Sequence, residues 1–148
     1  MTHTYARPML DSYPGVLKVD AATLAATIEA LHDCFAACTA DVDADLSEHH
    51  HLPDLVKCIR LCLDCADVCA ATVSVTTRQT EFDSSAVRAL LEACATTCKI
   101  SADECEMHAQ LHEHCRLCAE ACRRCEQACR ELLVALSPSS RPREAGAL

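Results

Sequence analysis

Cysteine is the residue in this sequence most able to do chemistry, and its placement is regular. Cys115, Cys118, Cys122, Cys125 and Cys129 are spaced three, four, three and four apart. That is a heptad seam, with cysteine where a coiled coil would carry Leu or Ile. On a helical wheel the five sulfurs occupy an arc of roughly 80°. Cys58, Cys62, Cys65 and Cys69 repeat the pattern, and Cys94, Cys98 and Cys105 follow it with Ser101 at the one skipped position. Cys34 and Cys38 add a shorter stripe. One or two such cysteines would be ordinary small core residues. Fourteen in a chain of 148 residues would leave the core underfilled, because Cys is much smaller than Leu, unless metal ions occupy the space between the thiols.

Ligand type and spacing narrow the metal. Structural zinc takes four ligands around one ion, usually offered by C-x-x-C knuckles at turns. The C-x-x-C pairs here, Cys62/Cys65, Cys115/Cys118 and Cys122/Cys125, lie inside helical patterns with no turn glycine. The spacing also differs from that of iron–sulfur ligand runs. Copper(I) is soft, accepts two or three thiolates and lets each sulfur bridge neighbouring ions. Thiols at i and i+3 or i+4 can share one ion, and facing helices another. A lined tube of this kind suits many Cu(I) ions, on the order of one per cysteine. The competing reading is a redox or iron–sulfur electron-transfer protein using the same cysteines.

Four helices must carry these stripes. Two glycines, few aromatics and abundant Ala, Leu and Glu favour helix over sheet. Asp20 caps a first helix to about Asp45, Pro53 sits in the first turn of a second that runs to about Arg78, and Asp83 or Ser84 caps a third. The third and fourth cysteine stripes are out of phase on one continuous helix, so a turn is placed near 108–112 although no Gly or Pro marks it. The fourth helix runs from about His112 to Leu136, before Ser137-Pro138. The expected fold class is all-α, an antiparallel up-down-up-down four-helix bundle with a cysteine-lined core. It comprises an irregular arm over 1–19, the bundle over 20–136 and a flexible tail over 137–148.

A formal net charge of −9 argues against nucleic acid and anionic membrane surfaces as partners. No apolar run is long enough to cross a bilayer, and the first 20 residues show no signal-peptide pattern. The expected compartment is cytoplasmic, where thiols stay reduced and cysteine-rich chains bind metal more often than they form disulfides.

The run CRLCAEACRRCEQAC and the C-x3-C-x2-C-x3-C of the second helix resemble the four-helix-bundle copper storage proteins over roughly residues 20–136. The missing export signal points to the cytosolic branch. The resemblance implies a homotetramer of bundles, each filled with Cu(I) through its open end, storing copper and not catalysing a reaction. Exchange with a copper chaperone or chelator belongs to the same expectation. Ser101 and the two-cysteine first helix point to a lower capacity than in cysteine-richer relatives.

The third seam continues to His108 and His112, which join the fourteen cysteines as expected metal ligands. Asp41 and Asp45 extend the Cys34/Cys38 face, and His51 precedes Cys58 by a heptad, so these three are candidate entry residues. His49 and His50 read as solvated loop, and His114 lies off the stripe by angle. The opposite end is ringed by Leu24, Leu31, Val87, Leu90, Leu132 and Leu136 and reads as a dry plug. Two Glu-x-x-His pairs, Glu29/His32 and Glu48/His51, match a di-iron pattern, but Glu29 and His32 point away from the cysteine face and Glu48 lies in the connection between the first two helices. The ten-residue spacing of Cys105, Cys115 and Cys125 matches twin C-x9-C hairpins, yet cysteines on one helix face pair poorly as disulfides. A second apolar strip on the second helix, Val56, Ile59, Leu63 and Ala70, suits packing against another subunit.

Overall fold

Helix boundaries follow from the capping chemistry. The computed structural model describes residues 4–137. A short helix α1 spans Ala6–Asp11, and four long ones follow: α2 (Ala21–Leu46), α3 (Leu52–Thr77), α4 (Ser84–His108) and α5 (Glu113–Ala135). Asp20 starts α2 by accepting from the Thr23 amide at 2.9 Å, and Asp83 starts α4 by accepting from the Ala86 amide at 3.0 Å. Pro53 lies in the first turn of α3, where its missing N–H leaves no hydrogen bond unmade. The turn between α4 and α5 covers residues 109–112, and Leu111 and His112 return amide bonds to the His108 carbonyl.

The long helices form an antiparallel four-helix bundle: α2 packs on α3, α3 on α4, α4 on α5, and α5 back on α2. Only α1 departs from the expected irregular arm. Pro8 lies within the first turn of that helix, where proline is tolerated, and Arg7 pairs with Asp11 across one turn at 2.8 Å. α1 lies against α2 and buries Leu10. The tail expected from 137 lies, beyond Ser137, outside the described residues.

Each long helix presents one seam to the axis. On α2 it reads Leu24, Thr27, Leu31, Cys34, Cys38, Asp41, Asp45, and every member is buried. On α3 the four cysteines continue into Thr72 and Thr76, and on α4 Val87 and Leu91 precede Cys94. Leu132 follows Cys129 on α5. The closed end therefore differs from its expected form in two ways. Leu91 replaces Leu90 in the plug, because 91 and not 90 stands three residues before Cys94 on the seam; Leu90 and Leu136 are only half-buried. Thr72 and Thr76 add hydroxyls to a layer expected to be wholly apolar; Thr72 donates to the Val68 carbonyl at 2.7 Å.

Candidate metal column and its polar mouth

All fourteen cysteines are free and buried. The heptad spacing that makes each helix amphipathic also points the sulfurs at one axis, where they form a continuous column. Cys34 on α2 lies 3.8 Å from Cys65 on α3, 3.9 Å from Cys98 on α4 and 3.7 Å from Cys122 on α5. One layer towards the leucine end, Cys69 lies 3.7 Å from Cys94, and Cys94, Cys125 and Cys129 form the last thiol group before the plug. Towards the other end, Cys38 lies 3.6 Å from Cys122 and 3.7 Å from Cys118. Cys62 lies 3.4 Å from Cys105 and 3.8 Å from Cys118. Ser101 fills its skipped position within the column, 3.4 Å from Cys62 Sγ and 3.6 Å from Cys122 Sγ.

Packed thiols cannot all ionise alike. Hydrogen bonds from neighbouring thiols pull Cys62, Cys65 and Cys94 down, led by Cys105, Cys122 and Cys125 respectively. Cys122 falls to about 6, with Cys118 as the main donor. Their neighbours Cys34 and Cys98 are pushed up because they donate, chiefly to Cys122 and Cys125, and lie away from water. Neighbouring thiols of the column thus differ in how readily they give up a proton. A soft monovalent cation that binds bridging sulfurs would compensate the buried charge as it displaces protons.

One end of the column is polar. Asp41, fully buried, directs Oδ2 at the thiols of Cys58, Cys62 and Cys105 and takes a 2.6 Å contact from His114 Nδ1 on Oδ1. Asp45, also buried, accepts from the Cys115 thiol at 3.4 Å, while its Oδ2 has no hydrogen-bond partner. Burial pushes the Asp45 carboxyl up, and the charge of Asp41 adds to the shift. His112, which caps the start of α5, is buried; its Nδ1 lies 3.3 Å from Glu48 and its ring meets those of His51 and His114 at 5.4 and 5.3 Å. Burial disfavours the His114 cation, but bonds to Asp41 and Glu48 and the nearby acidic charges outweigh it and raise its pKa.

The structure gathers Asp41, Asp45, His51 and His112 at one end, as their seam positions suggest. His108, the last residue of α4, has its Nε2 3.2 Å from Glu104, whose other oxygen meets Lys57 at 3.6 Å. His114 and Glu48 belong to the mouth although the sequence reading set one off the stripe and the other in a connection. The non-helical residue His112 brings His114 inward at the first turn of α5, and the α2–α3 connection folds Glu48 back to 3.1 Å from His114 Nε2. Position beside Cys115 was the one signal available. His49 and His50 are exposed, and Glu29 and His32 face α1 away from the thiols.

Comparison with known proteins agrees with this geometry. The family model described as copper storage protein matches residues 20–134. A copper storage protein, Ccsp, from Streptomyces lividans, in a structure loaded with 10 copper equivalents, is 53% identical with a TM-score of 0.85. The match covers 88% of this chain and 98% of that one. A structure describing copper loading to a cytosolic copper storage protein from the same organism, with five coppers, is 55% identical with a TM-score of 0.76, covering 78% and 96% of the two chains. An uncharacterized cysteine-rich protein, YhjQ, from Bacillus subtilis is 39% identical over 96 residues, 64% of this chain and 81% of that one. With a buried thiol column in the matched region and the family model spanning most of its length, the chain belongs to the copper storage protein family.

Proposed function

We propose that this chain is a cytosolic store that holds many Cu(I) ions on the thiolates of its column and performs no covalent catalysis. The carrying observation is the contiguity of the buried free thiols, with contacts of 3.4–4.0 Å from Asp41 as far as Cys94, and Cys94, Cys125 and Cys129 within 4.8 Å of one another. Thiolates this close, from one helix or from facing helices, can share and bridge Cu(I) ions. All fourteen cysteines serve as ligands. His112 belongs with the mouth; His108 acts at its flank beside Glu104. Asp41, Asp45 and His51 form the entry, where carboxylates attract the cation and imidazoles offer it nitrogen before it reaches sulfur. Ions then move inward by ligand exchange and stop at the leucine layer.

The cytosolic assignment follows the cytosolic Streptomyces lividans relative. Assembly as a homotetramer is supported by the strip on α3, where Val56 and Leu63 are exposed beside Ile59 and Ala70. Copper would arrive from and leave to a chaperone or small chelator at the polar end. Anaerobic titration of the reduced chain with Cu(I) against a strong chelator tests storage. On the order of one equivalent per thiol, with little change in helicity, is expected. Saturation at one or two equivalents, or an iron chromophore in the protein as isolated, would overturn it.

A further inference from the structure

Among the groups lining the column, Asp41, Cys58, Cys62 and Cys105 differ from the all-sulfur groups in bringing one carboxylate oxygen together with three thiols. The six distances among the four donor atoms describe a tetrahedron. The sulfur–sulfur edges are 4.0, 3.6 and 3.4 Å, and the oxygen–sulfur edges are 3.8, 3.6 and 3.6 Å. A zinc ion with bonds of about 2.3 Å to sulfur and about 2.0 Å to oxygen needs edges of about 3.8 Å and about 3.5 Å respectively. Similar sulfur spacing recurs along the column, so spacing alone would not single this group out. The carboxylate does. Cu(I) gains little from a hard oxygen donor, whereas zinc accepts sulfur and carboxylate in one tetrahedral shell.

The aim of that oxygen is fixed from behind. His114 Nδ1 holds Asp41 Oδ1 at 2.6 Å, which turns Oδ2 to the three sulfurs. Orientation of a ligating group by a hydrogen bond to its second heteroatom is the usual arrangement around zinc. Position also favours the assignment: the group lies towards the polar end of the column, beneath His114.

We propose that Asp41, Cys58, Cys62 and Cys105 form a tetrahedral site for one divalent zinc ion at the mouth of the column. The site shares three thiols with the copper column but does not require copper to be its cargo. A zinc ion there occupies the mouth until Cu(I), which binds thiolates more strongly, displaces it.

The test adds zinc alone to the full, reduced chain without oxygen and measures stoichiometry, affinity against a chelator and the zinc X-ray absorption spectrum. One tight equivalent is expected, with three sulfurs at about 2.3 Å and one oxygen at about 2.0 Å. Asp41→Asn, checked for native helicity by circular dichroism, should weaken that equivalent at least about tenfold, since loss of even an orienting partner has that effect. Adding Cu(I) to the zinc form should release the ion. A four-sulfur shell, no tight equivalent, or unchanged affinity in Asp41→Asn would each overturn the site. Failure of storage would show separately, as Cu(I) titration of the zinc-free chain ending at one or two equivalents.

Discussion

The two ends of the thiol column are made from the same four seams and differ completely in chemistry. At one end the seams finish in Leu24, Leu31, Val87, Leu91 and Leu132, with the neutral hydroxyls of Thr27, Thr72 and Thr76 among them, all buried. At the other they finish in Asp41 and Asp45, with His112, His114 and Glu48 folded over them. Apolar packing at the closed end holds the bundle together, while the polar end keeps buried carboxylates that folding alone would avoid. The contrast teaches that one core can carry an apolar, stabilising end and a polar end that, under the proposed function, admits the ions. It predicts that substitutions at the closed end act on stability and those at the mouth on uptake and pH dependence.

The largest effect should come from the closed end. Leu132→Ala removes a fully buried side chain from the closed-end layer and should destabilise the metal-free chain by about 2–5 kcal/mol. Thermal unfolding followed by circular dichroism measures this. A loss well under 1 kcal/mol would mean that the leucine layer is not the anchor of the fold. Copper bound only to the folded state should restore much of the lost melting temperature.

Next in size is the mouth's attraction for cations. The double variant Asp45→Asn with Glu48→Gln removes two charges that face His114 and His112. Initial Cu(I) uptake, followed by stopped flow at low salt, should slow about tenfold, and the difference should shrink as ionic strength rises. An unchanged rate would place entry elsewhere.

The same carboxylate should have a stability cost. Burial, then repulsion by Asp41, raises the Asp45 carboxyl above its ordinary value, so the penalty is absent at acid pH and grows as pH rises through the raised value. Asp45→Asn should therefore stabilise the metal-free chain at neutral pH by about 1 kcal/mol, with the gain vanishing towards acid. Chemical denaturation across pH checks both sign and slope. Destabilisation at neutral pH would show that the bond from Cys115 outweighs burial.

Much of this contrast was legible in the sequence because heptad spacing survives into three dimensions. Asp20, Pro53 and Asp83 marked three helix starts correctly, and the out-of-phase stripes placed the α4–α5 turn without a Gly or Pro signal. Strict seam counting also leads to Leu91 in place of Leu90, and to Thr72 and Thr76. What sequence could not supply was the path of non-helical residues. The mouth places His114 and Glu48 together across 66 positions, through the backbone at His112 and a connection after α2. The contact of His108 with Glu104, one turn earlier on α4, follows from helical spacing alone. α1 falls in the arm expected to be irregular, and Pro8 stands in its first turn, where proline does not break a helix.

The smallest predicted effect distinguishes His114 from its neighbours. Its pKa is raised because bonds to Asp41 and Glu48 and the charges of Asp41 and Asp45 more than offset its burial. A raised histidine stabilises the fold fully below its ordinary value of 6.5 and ceases to do so as pH rises through the raised value. His114→Asn should thus cost the metal-free chain up to about 1 kcal/mol under mildly acid conditions, a figure kept small by the side chain's partial exposure. Above the raised value the charge contribution disappears and the two stability curves should run parallel. Denaturation of both chains on either side of that transition reads the difference directly. A gap that widened with rising pH would mean that neutral His114 matters through packing against His112, and that the carboxylates of the mouth do not depend on its charge.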